Sequence, residues 1–479
     1  MKNEIYLLSA VLVPTVGAFL LPLAGSVSVR FRNALALILV SVSLLASAAL
    51  IPALGSGTVV KAVIPFSPGF DFVLVADHLA VFMAIVSSFI GAVIVFYSFG
   101  YISHYKNQNE YYLMVVLFLG SMMGLVFSGN LIFLYMFWEM TALACWRLIG
   151  FFRERQHVLR ADKAFLVTVF GALVMLIGFI LIYTQTGSFE LSVIKEKLQA
   201  TPVSDTAVLL ILVGIFSKSA TLPFHTWLPD AGVAPSPVTA LLHAAVLVKI
   251  GVYVFARLFI ATFSVSAMWH VAIPAVVAVS ALVSAGAALV ETDMKRIIAY
   301  STVSQLAFIF FGFAVGNDVG IAGALLYILM HGLAKGGLFL CAGIVEQNTH
   351  TKDITKMGGL MQTMPITAVS FIICAFSVMG LPPFGGFFSK YLVFSGAINS
   401  GQLAVTSVFL VGAFLTIMYL LRIFNLIFLG EQKVRATEAS ATMLISVALL
   451  AALSLAAGVC IYYPSIFTQT AVRQMLGTL

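Results

Sequence analysis

The sequence predicts an all-α integral membrane protein of about fourteen transmembrane helices, and three observations carry that expectation. Hydrophobic residues make up 61% of the chain and charged residues 9%, against about 25% charged in a soluble domain. Apolar runs of about 18 residues or more recur from Ile5 to Tyr463, each long enough to cross about 30 Å of hydrocarbon as a helix. No long polar segment remains between them for a soluble domain or a nucleotide-binding fold.

In chain order the runs lie near 5–24, 31–51, 75–103 and 111–128, then 130–151, 161–184, 205–222 and 236–260, then 270–290, 294–315, 318–345, 363–396, 402–429 and 440–463. The first follows Lys2 with no small-residue cleavage site, so it reads as a helix rather than a removed signal peptide. Gly129-Asn130 divides the fourth from the fifth. The seventh is interrupted by Pro223 and Pro229, the twelfth by LPPFGGFF at 381–388. Non-helical backbone at membrane depth is tolerated only against protein or a water-filled cavity. A pair of Gly/Pro-broken segments in the two halves of a transporter points to its binding site.

Lysine and arginine placement sets the expected orientation. With fourteen helices and both termini outside, the cytoplasmic loops hold Arg30, Arg32, Lys106, Arg153, Arg155, Arg160, Lys163, Lys295, Arg296, Lys352, Lys356, Lys433 and Arg435. The outer side keeps Lys2, Lys61, Lys195, Lys197 and Arg473. That is the positive-inside bias of a multi-pass protein, as in a prokaryotic inner membrane. The net charge of +7 is therefore a loop signature, and no basic soluble face is left for nucleic acid. Cys145, Cys341, Cys374 and Cys460 fall inside predicted spans without a CxxC, so they read as small buried hydrophobes and not as iron–sulfur ligands.

Seven of the 25 lysines and arginines remain inside the spans: Arg147, Lys218, Lys249, Arg257, Lys335, Lys390 and Arg422. The three arginines sit within about two turns of helix ends, where a long side chain reaches the interface. The four lysines have no such excuse, because a centred charge costs about 2.5–3.5 kcal/mol on insertion scales. Glu139 in YMFWEMTALACW is the one acid near mid-membrane. His331 and Lys335 are four apart and share a helix face. His243 and Lys249 are six apart, about 9 Å along a regular helix on faces about 120° different. His225 follows the first break and either sits in the loop or lines a cavity.

A buried amine holds its proton less tightly than an exposed one, and histidine titrates near neutrality. A string of lysine, histidine and glutamate through the bilayer middle is thus material for a proton wire, with the helix breaks admitting water. Sodium fits less well. Hard cations want several oxygen ligands, whereas Asp71, Asp77, Asp230, Glu291 and Asp293 fall in loops or at helix ends, so any sodium site lies mostly in a partner. Two other classes fit less well again. A vestigial scaffold predicts apolar residues at these positions, and a stand-alone carrier of small organic substrates predicts specificity groups that are not apparent.

FWEMTAL, FSKSATLPFHTWLPDAGVAPSPVTALLHAAVLVKIGVY, TDMKRIIAYSTVSQL, LMHGLAKGGLFLCAG and GLPPFGGFFSK closely resemble the antiporter-like subunits of respiratory complex I. The same family includes the Mrp-type sodium/proton antiporters and the energy-converting membrane-bound hydrogenases. The resemblance runs from about Asp77 to Arg422. It implies two inverted five-helix repeats, helices 4–8 and 9–13, with broken helices 7 and 12. The corresponding division is 1–110, 111–260, 261–429 and 430–479. It further implies a proton relay of Glu139, Lys218, His243, Lys249, His331, Lys335 and Lys390, with His225 and Arg147 as secondary candidates. Some relatives carry glutamate where Lys390 stands. Arg147 departs from the motif and either pairs with a loop acid or biases Glu139 across about 12 Å. The chain ends sixteen residues after Tyr463, without the long lateral helix of the largest complex I member. The implied role is a proton-translocating subunit of a hetero-oligomeric, redox-driven pump. Its own chain would hold no cofactor, and iron–sulfur clusters with flavin or nickel–iron would sit in peripheral partners. A non-redox Mrp-type antiporter assembly is the alternative.

Overall fold

A computed structural model describes residues 2–55, 57–65, 71–198 and 201–479. Among these residues, twelve helices are long and apolar enough to cross a membrane. They are α1 (Lys2–Val27), α2 (Val29–Leu54), α3 (His78–His104), α4 (Gln108–Phe127), α5 (Leu131–Ile149), α6 (Arg155–Thr186), α8 (Ser236–Ile260), α9 (Trp269–Val290), α10 (Met294–Ala314), α11 (Asp318–Thr349), α14 (Leu403–Phe428) and α15 (Ala441–Val459). The two remaining predicted spans are the broken ones. The seventh survives as α7 (Asp205–Lys218). The twelfth is split into α12 (Pro365–Met379) and α13 (Gly385–Asn399).

Two elements were not expected. An antiparallel hairpin of β1 (Val60–Ile64) and β2 (Phe72–Ala76) caps one end, with Val60 opposite Ala76. After α15 the chain turns at Cys460 and forms α16 (Tyr462–Leu476), which packs on α3 and α11. Cys460 is therefore exposed at a helix end and not inside a span, whereas Cys145, Cys341 and Cys374 are buried.

The helices divide by burial. α8, α10 and α11 are buried almost throughout, whereas α1, α2, α6, α14 and α15 turn more than half of their residues outward. A helix that is apolar all round belongs at the centre of a bundle, and the central three carry most of the buried amines. α7 packs along α6, α10 along α9 and α11, and α13 along α11.

Ion pairs gather the charged ends. Asp230 accepts from Lys163 at 2.7 Å and Arg296 at 2.6 Å, and Arg296 also donates to Glu291 at 2.8 Å. Glu346 is held by Lys295 at 3.0 Å and Lys352 at 3.2 Å. Burial opposes charge on Asp230, but the bonds from Lys163 and Arg296 outweigh it and keep its carboxyl below the usual carboxylate range. A depressed carboxylate contributes stability above its unfolded value of about 4 and loses it as pH falls through the folded value. Asp230→Asn should therefore cost about 1 kcal/mol at neutral pH, and the deficit should close below about pH 4. Thermal melts across pH check this, and a deficit constant with pH would contradict it.

Candidate functional site

The first helix break is built around Lys218. This lysine ends α7 with no exposed surface. The chain then turns through Ala220, whose φ of 51° lies in the left-handed region. Thr221 N bonds Phe216 O at 2.9 Å. Trp227 Nε1 reaches back to Ser217 O at 2.9 Å, satisfying one of the carbonyls a helix end leaves open. Lys218 Nζ donates to Trp138 O at 3.0 Å and lies 5.2 Å from the Trp138 ring centre. Glu139 is the next residue on α5. It lies within electrostatic reach of Lys218, but no ion pair joins them among the described residues. Its Oε1 is shielded and has no hydrogen-bond partner there. Two expected members of the relay are thus close without being joined.

His225 occupies a 3₁₀ turn, Phe224–Thr226, inside the break. It is half-buried, its Nδ1 is shielded without a partner among the described residues, and it lies within electrostatic reach of Lys163 of the ion-paired end.

α8 departs from regular geometry between its two titratable groups. Leu241–Ala245 is a π turn that contains His243, and Val246 follows at φ −126°, ψ −77°. The regular-helix offset between His243 and Lys249 therefore does not hold. π turns inside helices are frequent at functional sites. Lys249, fully buried, has its Nζ 2.9 Å from His331 Nδ1 on α11 and 3.4 Å from Ile328 O. His243, also fully buried, lies tilted with its ring centre 4.3 Å from that of Phe339 and leaves both ring nitrogens unpartnered among the described residues. A neutral imidazole has one donor and one acceptor to satisfy, and buried groups of this kind commonly bind internal water.

One turn along α11, Lys335 Nζ donates to Ser301 Oγ at 2.7 Å and Ile298 O at 3.1 Å on α10. At the second break, Lys390 Nζ donates to Val378 O at 2.8 Å and Met379 O at 3.4 Å. These carbonyls close α12, so the amine caps the negative end of a half-helix. Gly380 makes this possible: its φ is 85°, and a Cβ there would lie 3.0 Å from Lys390 Cδ. His331 lies within electrostatic reach of Lys249, Lys335, His243 and Lys390 together. The structure thus brings Lys249 against His331, keeps His243, Lys335 and Lys390 within electrostatic reach of that histidine, sets Glu139 within reach of Lys218, and leaves His225 and Arg147 apart.

Each of the three arginines finds a protein partner near a helix end. Arg147 is taken up by Glu110 at the start of α4, which also accepts from Arg153. Of its two expected roles, pairing with an acid is the one seen, although the acid sits in a first helical turn. Arg257 forms a two-point pair with Asp77 and is only 10% exposed. Arg422 Nη1 donates to Leu289 O and Glu291 O at the end of α9. Sequence reasoning missed the Asp77–Arg257 and Lys295–Glu346 pairs because each joins residues far apart in the chain.

Comparison with known proteins is consistent with this architecture. The family model described as NADH:quinone oxidoreductase/Mrp antiporter, TM, matches residues 128–416. A second, NADH-Ubiquinone oxidoreductase (complex I), chain 5 N-terminus, matches 66–112. The chain is 37% identical over 455 residues to the A component of the Na(+)/H(+) antiporter of Alkalihalophilus pseudofirmus, covering 87% of this chain and 56% of that protein. It is 35% identical over 458 residues to the A1 component of the Na(+)/H(+) antiporter of Staphylococcus aureus, covering 88% and 57%. The chain thus spans little more than half the length of these curated relatives. Its fold matches a chain of the Mrp complex from Dietzia sp. with a TM-score of 0.91 at 23% identity, covering 99% of this chain and 98% of that one. A chain of the membrane-bound sulfane sulfur reductase, an archaeal respiratory membrane complex, matches with a TM-score of 0.91 at 22% identity and the same coverage. A helical bundle with two broken helices and a row of buried amines defines a multi-pass, antiporter-like membrane protein. The chain belongs to the NADH:quinone oxidoreductase/Mrp antiporter family.

Proposed function

We propose that this chain is the proton-translocating subunit of a larger membrane complex. The observation that carries the reading is the 2.9 Å contact between Lys249 Nζ and His331 Nδ1, two fully buried titratable groups on different helices. A proton can pass directly between such groups. Glu139 and Lys218 act as a pair that opens and closes. Separation of the pair changes the field at Lys249, and the proton then passes by His331 and Lys335 to Lys390, with His243 as a water-linked branch. The breaks beside Lys218 and Lys390 let water reach them. The basic loops face the cytoplasm of a prokaryotic inner membrane, and both termini lie outside.

Two assemblies provide the driving force in this family. The Na(+)/H(+) antiporter relatives favour a sodium/proton antiporter assembly, in which sodium is handled mostly by a partner. The equally good fold match to a respiratory complex supports a redox-driven arm, with iron–sulfur clusters and flavin or nickel–iron in partner subunits and none in this chain. Mild-detergent purification of the tagged chain from its own host, with mass spectrometry of its partners and assays of iron, nickel and flavin, separates them. Only small membrane subunits and no cofactor would make it an antiporter component, whereas stoichiometric iron–sulfur subunits would make it a pump arm. An active chain without partners would overturn both.

A further inference from the structure

Between Lys335 and Lys390 lies a buried polar network that the relay above does not use. Ser301 and Gln305 are four apart on α10, Thr416 and Tyr419 three apart on α14, and Tyr327, His331 and Lys335 recur every four residues on α11. Such spacings put each set on one helix face. The three faces meet, and Ser301, Gln305, Tyr327, Thr416 and Tyr419 have no exposed surface.

Counting donors orders the network. Tyr419 OH donates to Thr416 Oγ1 at 3.2 Å, and Thr416 donates to Gly412 O at 2.8 Å. Gln305 Nε2 donates to Thr416 Oγ1 at 3.1 Å and to Tyr419 OH at 3.4 Å. With its one proton spent on Thr416, Tyr419 can only accept across the 2.7 Å contact with Ser301, so Ser301 donates to it. Ser301 in turn accepts from Lys335 Nζ at 2.7 Å. Every hydroxyl in this line points away from the lysine. On the other side of Gln305, Tyr327 OH donates to Oε1 at 2.5 Å, and Lys390 Nζ lies 5.7 Å from the Tyr327 ring centre.

A neutral amine has a lone pair where the ammonium has only donors. Loss of the Lys335 proton lets Ser301 turn its hydroxyl to the amine and Tyr419 turn to Ser301, which withdraws one donor from Thr416. We infer that Ser301 and Tyr419 are positioning residues whose hydrogen-bond direction follows the charge on Lys335, and that the donor withdrawn from Thr416 is felt through Gln305 and Tyr327 in the surroundings of Lys390. An apolar core would fill this space without the cost of burying five polar groups, whereas every member here is partnered and the two hydroxyls nearest Lys335 are free to turn.

The inference rests on the proposed relay, and its test separates the two. Translocation is measured per assembled complex in vesicles of the intact assembly carrying Ser301→Ala, Tyr419→Phe, the double variant, Ser301→Thr or Lys335→Ala. Each single hydroxyl deletion should slow translocation about tenfold, the double variant no further than the slower single one, and Ser301→Thr should recover at least half of the wild-type rate. The amount and melting temperature of the complex should change little. Wild-type rates in Ser301→Ala and Tyr419→Phe beside an inactive Lys335→Ala overturn the network alone, as do multiplicative losses that track lost assembly. A wild-type rate in Lys335→Ala overturns the relay itself. If Tyr419→Phe fails to assemble, the Ser301→Ala and Ser301→Thr comparison decides.

Discussion

Lys218→Met is expected to abolish proton translocation while raising the melting temperature of the assembled complex. The ammonium has three donors, and at the end of α7 it is fully buried with one hydrogen bond among the described residues, to Trp138 O. That carbonyl also accepts from Thr141 Oγ1 at 2.6 Å. Exchanging poorly compensated buried charge for an apolar side chain of similar length is often neutral or stabilising by about 1–4 kcal/mol. A residue kept at such a cost is kept for what its charge does. Glu139→Gln, which preserves shape, should stop translocation equally with assembly intact. The check is ΔpH formation in vesicles containing the complex, set against its melting temperature. Wild-type translocation in either variant would remove Glu139 and Lys218 from the relay. Loss of activity with a large fall in stability would make Lys218 a structural residue.

Much of this site was legible in the sequence for a simple physical reason. A lysine in an 18-residue apolar run has few places to go, so Lys249, Lys335 and Lys390 announced themselves by position alone, and the prolines at 223 and 382 announced the two breaks. Geometry within helices was legible only where the helix is regular. The four-residue spacing of His331 and Lys335 does place both inward, whereas the π turn at Leu241–Ala245 invalidates the offset read for His243 and Lys249. No local pattern distinguishes a wide turn from an ordinary one in LLHAAVLVK. Partners distant in the chain were hidden for the same reason. Arg257 looked like a helix-end arginine free to reach the interface, and only the fold brings Asp77, 180 positions earlier, against it. The Ser301 and Gln305 pair left one faint signal, the ends of a polar STVSQ stretch inside a membrane span. α16 left less: YYPSIFTQTAVRQML mixes polar and apolar residues too evenly to stand out beside transmembrane runs.

Asp77→Ala should destabilise the protein by about 3–5 kcal/mol, the range measured when one member of a buried pair is removed and the other charge is left uncompensated. Arg257 and Asp77 are 10% and 15% exposed, and two bonds of 2.5 and 2.8 Å join them. Arg257 Nε donates to Tyr253 OH at 3.0 Å, and Tyr253 donates to Val126 O at 2.5 Å, which ties α8 to the end of α4. Asp77 also caps α3 by accepting from Ala80 N at 2.9 Å, a bond worth about 1 kcal/mol by itself. Burial opposes charge on Asp77, but the Arg257 guanidinium outweighs it and holds the carboxyl below the usual carboxylate range. Its contribution is thus complete above about pH 4 and fades as pH falls through the lower folded value. Asp77→Asn should lose the charge pairing but keep part of the cap, so it should melt between wild type and Asp77→Ala. Removing the stranded charge with Asp77→Ala/Arg257→Met should recover a large share of the loss, since an apolar replacement of the whole pair is far less costly than half of it. Melting temperatures of the purified complex at neutral and acid pH decide the matter. If the double variant melted no higher than Asp77→Ala, the loss would belong to the cap and the packing around it, and the guanidinium would not be the group Asp77 is there to hold.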